Sequence, residues 1–458
     1  MTAMPFDSTG QTTRADLEAR IAALAADPAT QRMLRTFSPW TIRANRGRNP
    51  KSPYMLDYGA PEDGRPDGHY FLTNLVLQGG GTLGLAHAGF IRGLEIAGFR
   101  FPGIAGTSAG AILVMGGFAA RGDNILNEMS DTVHQIINDA PMADFVDAPR
   151  QIRRLLKRYA SGRSIMHPVF WLGAWQAVRR MLTRRGLNPG HFFEEWTGDR
   201  LRDMGIRTVD DLRQLADTVA ADLCAAGTRG RKNPFTKAAN REGIRGTDIF
   251  KMISVAMPTG MKFTLPEDLP LLDTEYGDVT PARLLRMSMS IPAFFEPVRM
   301  ATHPRRWRAH VKRSRSPFVS DKVAADLADL TELYFLDGGI FSNLPTESLV
   351  EKMSDAVGTI SVPLVQTDQR IKFRRPNRIK SLISDAGAVI NAVRLQADRE
   401  AHARSQRDGF TNRLALKIDT GDINWLDFAM PDTTRAELYE LGLKRALTAL
   451  EKEEFVNG

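Results

Sequence analysis

Apolar residues recur at helical spacing between Thr13 and about Phe37, at Leu17, Ile21, Leu24, Met33 and Leu34, and Pro28 interrupts the run. A helix in two pieces is expected there. From Asn45 to His69 the periodicity disappears. Pro50, Pro53, Pro61, Gly64, Pro66 and Gly68 predict a loop leading into the main part of the chain. The core pattern begins at Phe71. Asn74 to Gln78 is a short apolar run of the kind that forms a buried strand, and a glycine cluster follows it. Leu85 to Gly98 reads as a helix, Pro102 to Thr107 as a second strand and Ala109 to Ala120 as a second helix. Strand–helix–strand–helix is the mark of an α/β sheet with parallel strands. Asn124 to about Asp222 reads as mostly helical and basic, Ile249–Val255 and Tyr334–Leu336 as further strands, and Ile379–Arg404 and Thr434–Glu454 as helices. The expected organisation is an N-terminal helical extension and linker (1–70), a main domain (71–350) with a basic helical insertion (about 124–222), and a mostly helical C-terminal extension (351–458).

Composition narrows the picture a little. Of 458 residues, 43% are apolar and 25% charged, enough for a large buried core. Phe101 to Ala120 carries little charge and has the look of a membrane span. Its Gly, Ala and Ser content and Pro102 favour a buried strand–turn–helix instead. Met1 to Arg20 lacks the apolar core and cleavage site of a signal peptide, so a cytoplasmic protein with peripheral membrane contact is expected. A lone cysteine, Cys224, forms no internal disulfide, and no Cys/His spacing suggests a metal. The net charge of +8 draws anions, phospholipid headgroups and nucleic acid alike. No nucleic-acid-binding motif accompanies it, and no nucleic-acid partner is expected.

Three short motifs carry candidate chemistry. Gly106-Thr107-Ser108-Ala109-Gly110 fits G-x-S-x-G between a strand and a small-residue helix. In such an elbow the flanking glycines give the turn room to close, and the helix N-terminus favours negative charge at the serine. Gly79-Gly80-Gly81-Thr82-Leu83-Gly84 ends the first strand. Its backbone N–H groups can converge on an anion, and in an acyl hydrolase that anion is the tetrahedral oxyanion. The same residues satisfy G-x-G-x-x-G, a dinucleotide fingerprint, although the acid expected about 20 positions later is missing from Phe99-Arg100-Phe101-Pro102. Asp337-Gly338-Gly339 follows an apolar run, where a carboxylate can reach the mouth of a sheet and deprotonate a hydroxyl. Asp-Gly-Gly is also a common turn.

A Ser-His-Asp triad needs a histidine, and the chain has eight. In the α/β-hydrolase order the histidine follows the acid, which leaves His402 in a polar helical stretch that reads as solvated surface. His87 lies on the helix after the glycine loop and reads as a packing residue or loop support. A Ser–Asp dyad fits better.

Together and in this order, the three motifs resemble the patatin-like phospholipase family: a glycine-rich oxyanion loop, then G-x-S-x-G, then D-G-[AG]. Leu85–Gly89, Arg286–Val298 (RMSMSIPAFFEPV) and Asn343-Leu344-Pro345 fit as well, so the resemblance spans about Asn74 to Val350. It implies a three-layer α/β/α fold with a mostly parallel central sheet and hydrolysis of fatty acyl esters in lipids, with no metal or cofactor. It makes Ser108 the nucleophile and Asp337 the general base. Gly79, Gly80, Gly81, Thr82 and Gly84 form the oxyanion loop, Gly106, Thr107, Ala109 and Gly110 the elbow, and Gly338 and Gly339 the support of the acid. The family has Arg or Lys before the last glycine of the first motif, whereas Leu83 stands here. The separation of Ser108 from Asp337 leaves room for a large insertion.

Two other readings of the residues stay open: a nucleotide-binding protein using Gly79–Gly84, and a catalytically idle lipid-binding module, for which Leu83 is the hint. Basic residues interleaved with Trp and Met in Gln151–Arg163, Trp171–Arg185 and Arg299–Arg315 suit an anionic membrane surface, or form solvated basic faces.

Overall fold

The computed structural model describes residues 13–47, 51–59, 68–154, 171–229, 231–237, 243–314, 320–349, 353, 357–366 and 413–456. The expected N-terminal helix is two helices, α1 (Arg14–Ala26) and α2 (Pro28–Phe37). Pro28 opens α2, where its missing N–H costs nothing, and the Asp27 carboxylate accepts from the Ala29 and Thr30 N–H groups. Of the loop expected over Asn45–His69, residues 48–50 and 60–67 lie outside the described residues, and Tyr54–Tyr58 is a strand instead. β1 (Trp40–Ala44) and β2 (Tyr54–Tyr58) pair antiparallel, with Ile42 opposite Leu56. The buried run Tyr54-Met55-Leu56 is too short to stand out among flanking prolines, yet it is what β2 buries.

The remaining strands in chain order are β3 (Tyr70–Leu77), β4 (Phe99–Arg100), β5 (Ile104–Thr107), β6 (Gly186–Asn188), β7 (Gly227–Thr228), β8 (Phe250–Met257), β9 (Met261–Leu265), β10 (Ala293–Phe295), β11 (Val298–Ala301), β12 (Glu332–Asp337), β13 (Gly358–Val362), β14 (Leu364–Val365), β15 (Arg413–Ala415) and β16 (Ile418–Asp419). At the heart of the main sheet β8, β5, β3, β13 and β15 run parallel. β9, β11 and β12 lie antiparallel on one side and β1 and β2 on the other. Every residue of β5 and β13 is buried, as for strands covered on both faces. On one face Leu75, Leu77 and Ile104 join the large core. On the other Val76 and Ala105 pack with Leu349 and Leu344, so the chain following Asp337 folds back over the sheet. Helices cover both faces of this sheet, which is the α/β/α arrangement expected.

Helix α3 (Leu85–Ile96) follows β3, α4 (Ala109–Arg121) follows β5, and α5 (Ser130–Asn138) packs on both. The described part of the insertion is largely helical, at Trp171–Arg184, His191–Asp203 and Val209–Ala225. The boundaries read at 70 and 350 do not divide the sheet. β1 pairs with β3 from one terminus and β13 pairs with β3 along five residues from the other. The C-terminal helix Asp432–Glu451 lies directly on α3, with a Cβ on Gly442 falling 2.0 Å from the Ala86 carbonyl oxygen. Only a glycine lets the two backbones approach so closely. The helix expected over Ile379–Arg404 lies outside the described residues. Phe101–Ala120 is the buried β5–α4 unit, and among the described residues no helix is long and apolar enough to cross a membrane.

Candidate active site

β5 runs parallel to β8 and β12 runs antiparallel to it, so β5 and β12 point in opposite directions. β5 ends with Thr107 opposite Ile253, and β12 ends with Asp337 opposite Ser254, the very next residue of β8. Two strand ends far apart in sequence therefore meet head-on. Ser108 follows the first and Asp337 closes the second, and both line one cleft. Its walls also include Gly80, Gly81, Ile291, Pro292, Asn343 and Trp425.

Ser108 stands at φ 53° and ψ −119°, a region that costs a non-glycine residue about 1–3 kcal/mol. The surroundings enforce it. Its N–H donates to Ser288 Oγ (3.1 Å), and that hydroxyl donates to the Ile253 carbonyl (2.7 Å). The Thr107 hydroxyl donates to the Ser342 carbonyl (2.9 Å), tying the elbow to the chain beyond Asp337. Gly106 and Gly110 are needed for space: a Cβ on Gly110 would fall 2.4 Å from the Leu77 carbonyl oxygen and one on Gly106 2.5 Å from the Gly110 backbone. Ser108 precedes the first turn of α4 but does not cap it with its side chain. The helix terminus places partial positive charge beside the hydroxyl.

Asp337 is buried. Its N–H donates to the Ser290 carbonyl (2.9 Å), and its Oδ1 accepts from the Gly339 N–H (2.7 Å). Gly338 lies flat against β8, where a Cβ would sit 2.3 Å from the Ile253 carbonyl oxygen. Ser290 is itself held by Arg286, whose Nη1 donates to the Ser290 Oγ (3.1 Å) and whose Nη2 donates to the Pro189 and Glu296 carbonyls. Burial lowers the Arg286 guanidinium to about 10, so it stays charged at neutral pH.

The glycine loop reaches the same point. The Gly79 N–H donates to the Asn343 carbonyl (3.0 Å), and a Cβ on Gly79 would lie 3.1 Å from the Ser108 Cβ. Among the described residues the Gly80 and Gly81 N–H groups have no hydrogen-bond partner. Thr82 differs from the expectation that its N–H faces an oxyanion. That N–H donates to the Trp425 carbonyl (2.9 Å), so Thr82 anchors the loop. Gly84 provides close approach to Ala109, where a Cβ would meet the Ala109 Cβ at 2.8 Å. Leu83 is buried in the core and its N–H closes the turn onto the Gly80 carbonyl (3.2 Å). The loop's shape is thus held without a basic side chain at that position. The Trp425 carbonyl and the Leu364 side chain press on Gly81 and Gly80, on the loop a dinucleotide's pyrophosphate would need.

No histidine lines the cleft among the described residues. His87 is fully buried and its Nε2–H donates to the Gln78 carbonyl (3.0 Å). Burial drives its pKa down to about 4, so it is neutral and supports the base of the loop. His402 lies outside the described residues. No group of three or more His, Cys, Asp or Glu among the described residues stands ready to hold a metal.

Five cleft residues, Ile291, Pro292, Ile340, Asn343 and Trp425, were not expected as site residues. Asn343 is visible in the sequence as part of Asn-Leu-Pro shortly after Asp-Gly-Gly. Trp425 gives no signal, because only the fold carries the C-terminal segment back over the glycine loop.

Residues 75–350, more than half of the chain, match the family model described as patatin-like phospholipase. The uncharacterized protein YqhO of Bacillus subtilis (strain 168) is 27% identical over 375 residues, covering 81% of this chain and 95% of YqhO. The crystal structure of VipD from Legionella pneumophila aligns with a TM-score of 0.37 and 15% identity, over 91% of this chain and 70% of VipD.

Proposed function

The chain belongs to the patatin-like phospholipase family, whose members are lipolytic hydrolases, and on that premise we propose that it cleaves fatty acyl ester bonds through a Ser108–Asp337 dyad and an acyl-enzyme. Asp337 takes the Ser108 proton as Oγ bonds to the ester carbonyl carbon. The negative charge that develops on the carbonyl oxygen is received by the Gly80 and Gly81 N–H groups. Such donors are fixed before the reaction and need no reorganisation, which is why they favour the transition state. Collapse expels the alcohol portion of the lipid, which leaves with the proton held by Asp337. Water then attacks the acyl-enzyme and gives a proton to Asp337, and Asp337 returns it to Ser108 Oγ as the acyl–Oγ bond breaks and the fatty acid departs.

The observation that carries this reading is the meeting of β5 and β12 at adjacent residues of β8, which sets Ser108 and Asp337 in one cleft. The strained Ser108 backbone and the unengaged Gly80 and Gly81 N–H groups support it. Lipid-product mass spectrometry on wild type beside Ser108→Ala and Asp337→Asn tests it. Free fatty acid and a deacylated lipid are expected from wild type, with loss of at least about a thousand-fold in rate for either variant. Hydrolysis that survives both substitutions would refute the dyad.

A further inference from the structure

The helix Trp171–Arg184 is turned inside out. Leu172, Trp175, Val178 and Leu182 are 52%, 58%, 58% and 80% exposed, and Met181 is exposed as well. Positions 172, 175, 178 and 182 fall on one side of a helix. The opposite side carries small and polar residues toward the protein. Gly173 lies where a Cβ would meet the Gln151 carbonyl oxygen at 2.8 Å, and Arg180 pairs with Glu296. An ordinary surface helix shows the reverse pattern, apolar inward and polar outward. The helix contains no acidic residue, and Arg179, Arg184 and the adjoining Arg185 are exposed around the apolar stripe. At 14 residues it is too short to span a bilayer but suited to lie in its surface.

Its position bears on the cleft. The helix leads into β6, which pairs parallel with β10, Ala293 opposite Gly186. β10 directly follows Ile291 and Pro292, two residues of the cleft wall. Arg180 fastens the helix to Glu296 just beyond β10. The other basic segments do not share these features. Trp307, in the helix Pro304–Arg313, is fully buried with its indole N–H donating to the Leu327 carbonyl (2.9 Å). Most of Gln151–Arg163 lies outside the described residues.

We propose that the outer face of Trp171–Arg184 docks on an anionic lipid bilayer, with Leu172, Trp175, Val178 and Leu182 entering the interface and Arg179, Arg184 and Arg185 meeting lipid phosphates. The positive, acid-free rim selects an anionic surface, and the apolar stripe selects a bilayer over a dissolved anion. Docking here holds the strand that borders the cleft close to the source of acyl esters. The proposal concerns the surface where the hydrolase reading places its substrate, and it is tested without turnover.

Full-length Ser108→Ala protein is sedimented with vesicles of phosphatidylcholine alone and of equal parts phosphatidylcholine and phosphatidylglycerol. Binding to the mixed vesicles is expected, weakening as salt rises. Adding Arg179→Gln and Arg184→Gln should weaken binding about five-fold per arginine. Adding Trp175→Ser and Leu182→Ser should weaken it at least about ten-fold. Both double variants should melt with their parent. Absence of binding to mixed vesicles, or unchanged binding by either double variant, would overturn the assignment. So would a lowered melting temperature, which would mean the face is packed within the protein. Sedimentation velocity showing a dimer that Trp175→Ser with Leu182→Ser dissociates would assign the face to a second copy instead. Because Ser108→Ala is used throughout, failure of docking and failure of the dyad are read separately.

Discussion

Replacing Gly338 with alanine adds a single methyl group beside the candidate base without touching the serine or the carboxylate. The new Cβ would fall 2.3 Å from the Ile253 carbonyl oxygen and 3.0 Å from the Thr107 Cγ2. Neither neighbour can retreat easily. Ile253 lies inside β8 and its carbonyl accepts from the Ser288 hydroxyl, while Thr107 ends β5 and is tied to Ser342. A carbon–oxygen contact needs at least about 3.3 Å, so the Asp337–Gly339 turn must back away by about 1 Å. Misplacing a reacting group by that much costs about 100-fold in rate, whereas overpacking of this kind costs about 1–3 kcal/mol of stability. Gly338→Ala should therefore fold and melt somewhat lower, with kcat on a water-soluble short-chain ester reduced about 100-fold and KM little changed. Gly277→Ala is the control, since nothing lies within 4 Å of its Cβ position. If the two variants turn over at the same rate, the placement of Asp337 against β8 does not govern catalysis and the reasoning fails.

Other consequences follow from buried groups around the site. His87 titrates near 6.5 when unfolded but at about 4 when folded, because burial disfavours its charged form. Between those values the unfolded chain binds a proton that the folded chain does not, so stability falls as pH drops from 6.5 toward 4 and this contribution levels off below. The loss amounts to about 3 kcal/mol, and denaturant melts of His87→Gln across that range should show a correspondingly shallower dependence than wild type. Identical slopes would remove His87 as the cause. Arg286→Met strands the half-buried Pro189 and Glu296 carbonyls and removes a donor from the Ser290 hydroxyl, which keeps only its bond to the backbone carbonyl of residue 286. It should cost about 3 kcal/mol or more in a denaturant melt, and a stability equal to wild type would contradict the bonding described.

The parts of the site legible in the sequence are those whose chemistry is local. The elbow needs two small residues around one serine, and the glycine loop and Asp-Gly-Gly each announce themselves within a few positions. Parallel β3 and β5 with their helices were legible for the same reason, because each strand and its helix are adjacent. What was hidden depends on distant pairing. β13 looks like part of a helical extension until its residues lie against β3, and the antiparallel course of β12 is decided by β8 rather than by its own short apolar run. Thr82 illustrates the limit within a motif. Its place in the glycine loop suggested an oxyanion donor, but Trp425, remote in sequence, takes its N–H. Leu83 likewise reads as a lost basic residue, and the fold turns it into the core.

The reactivity of Ser108 is the most direct test of the dyad. A fluorophosphonate probe, followed by peptide mass spectrometry, reports which hydroxyl is activated and whether Asp337 activates it. The dyad predicts one adduct on the Ser108 peptide of wild type, none on that peptide in Ser108→Ala, and labelling slowed at least about a hundred-fold in Asp337→Asn. An adduct on another serine that persists in Ser108→Ala, or equal labelling of Ser108 with and without the Asp337 carboxylate, would contradict it.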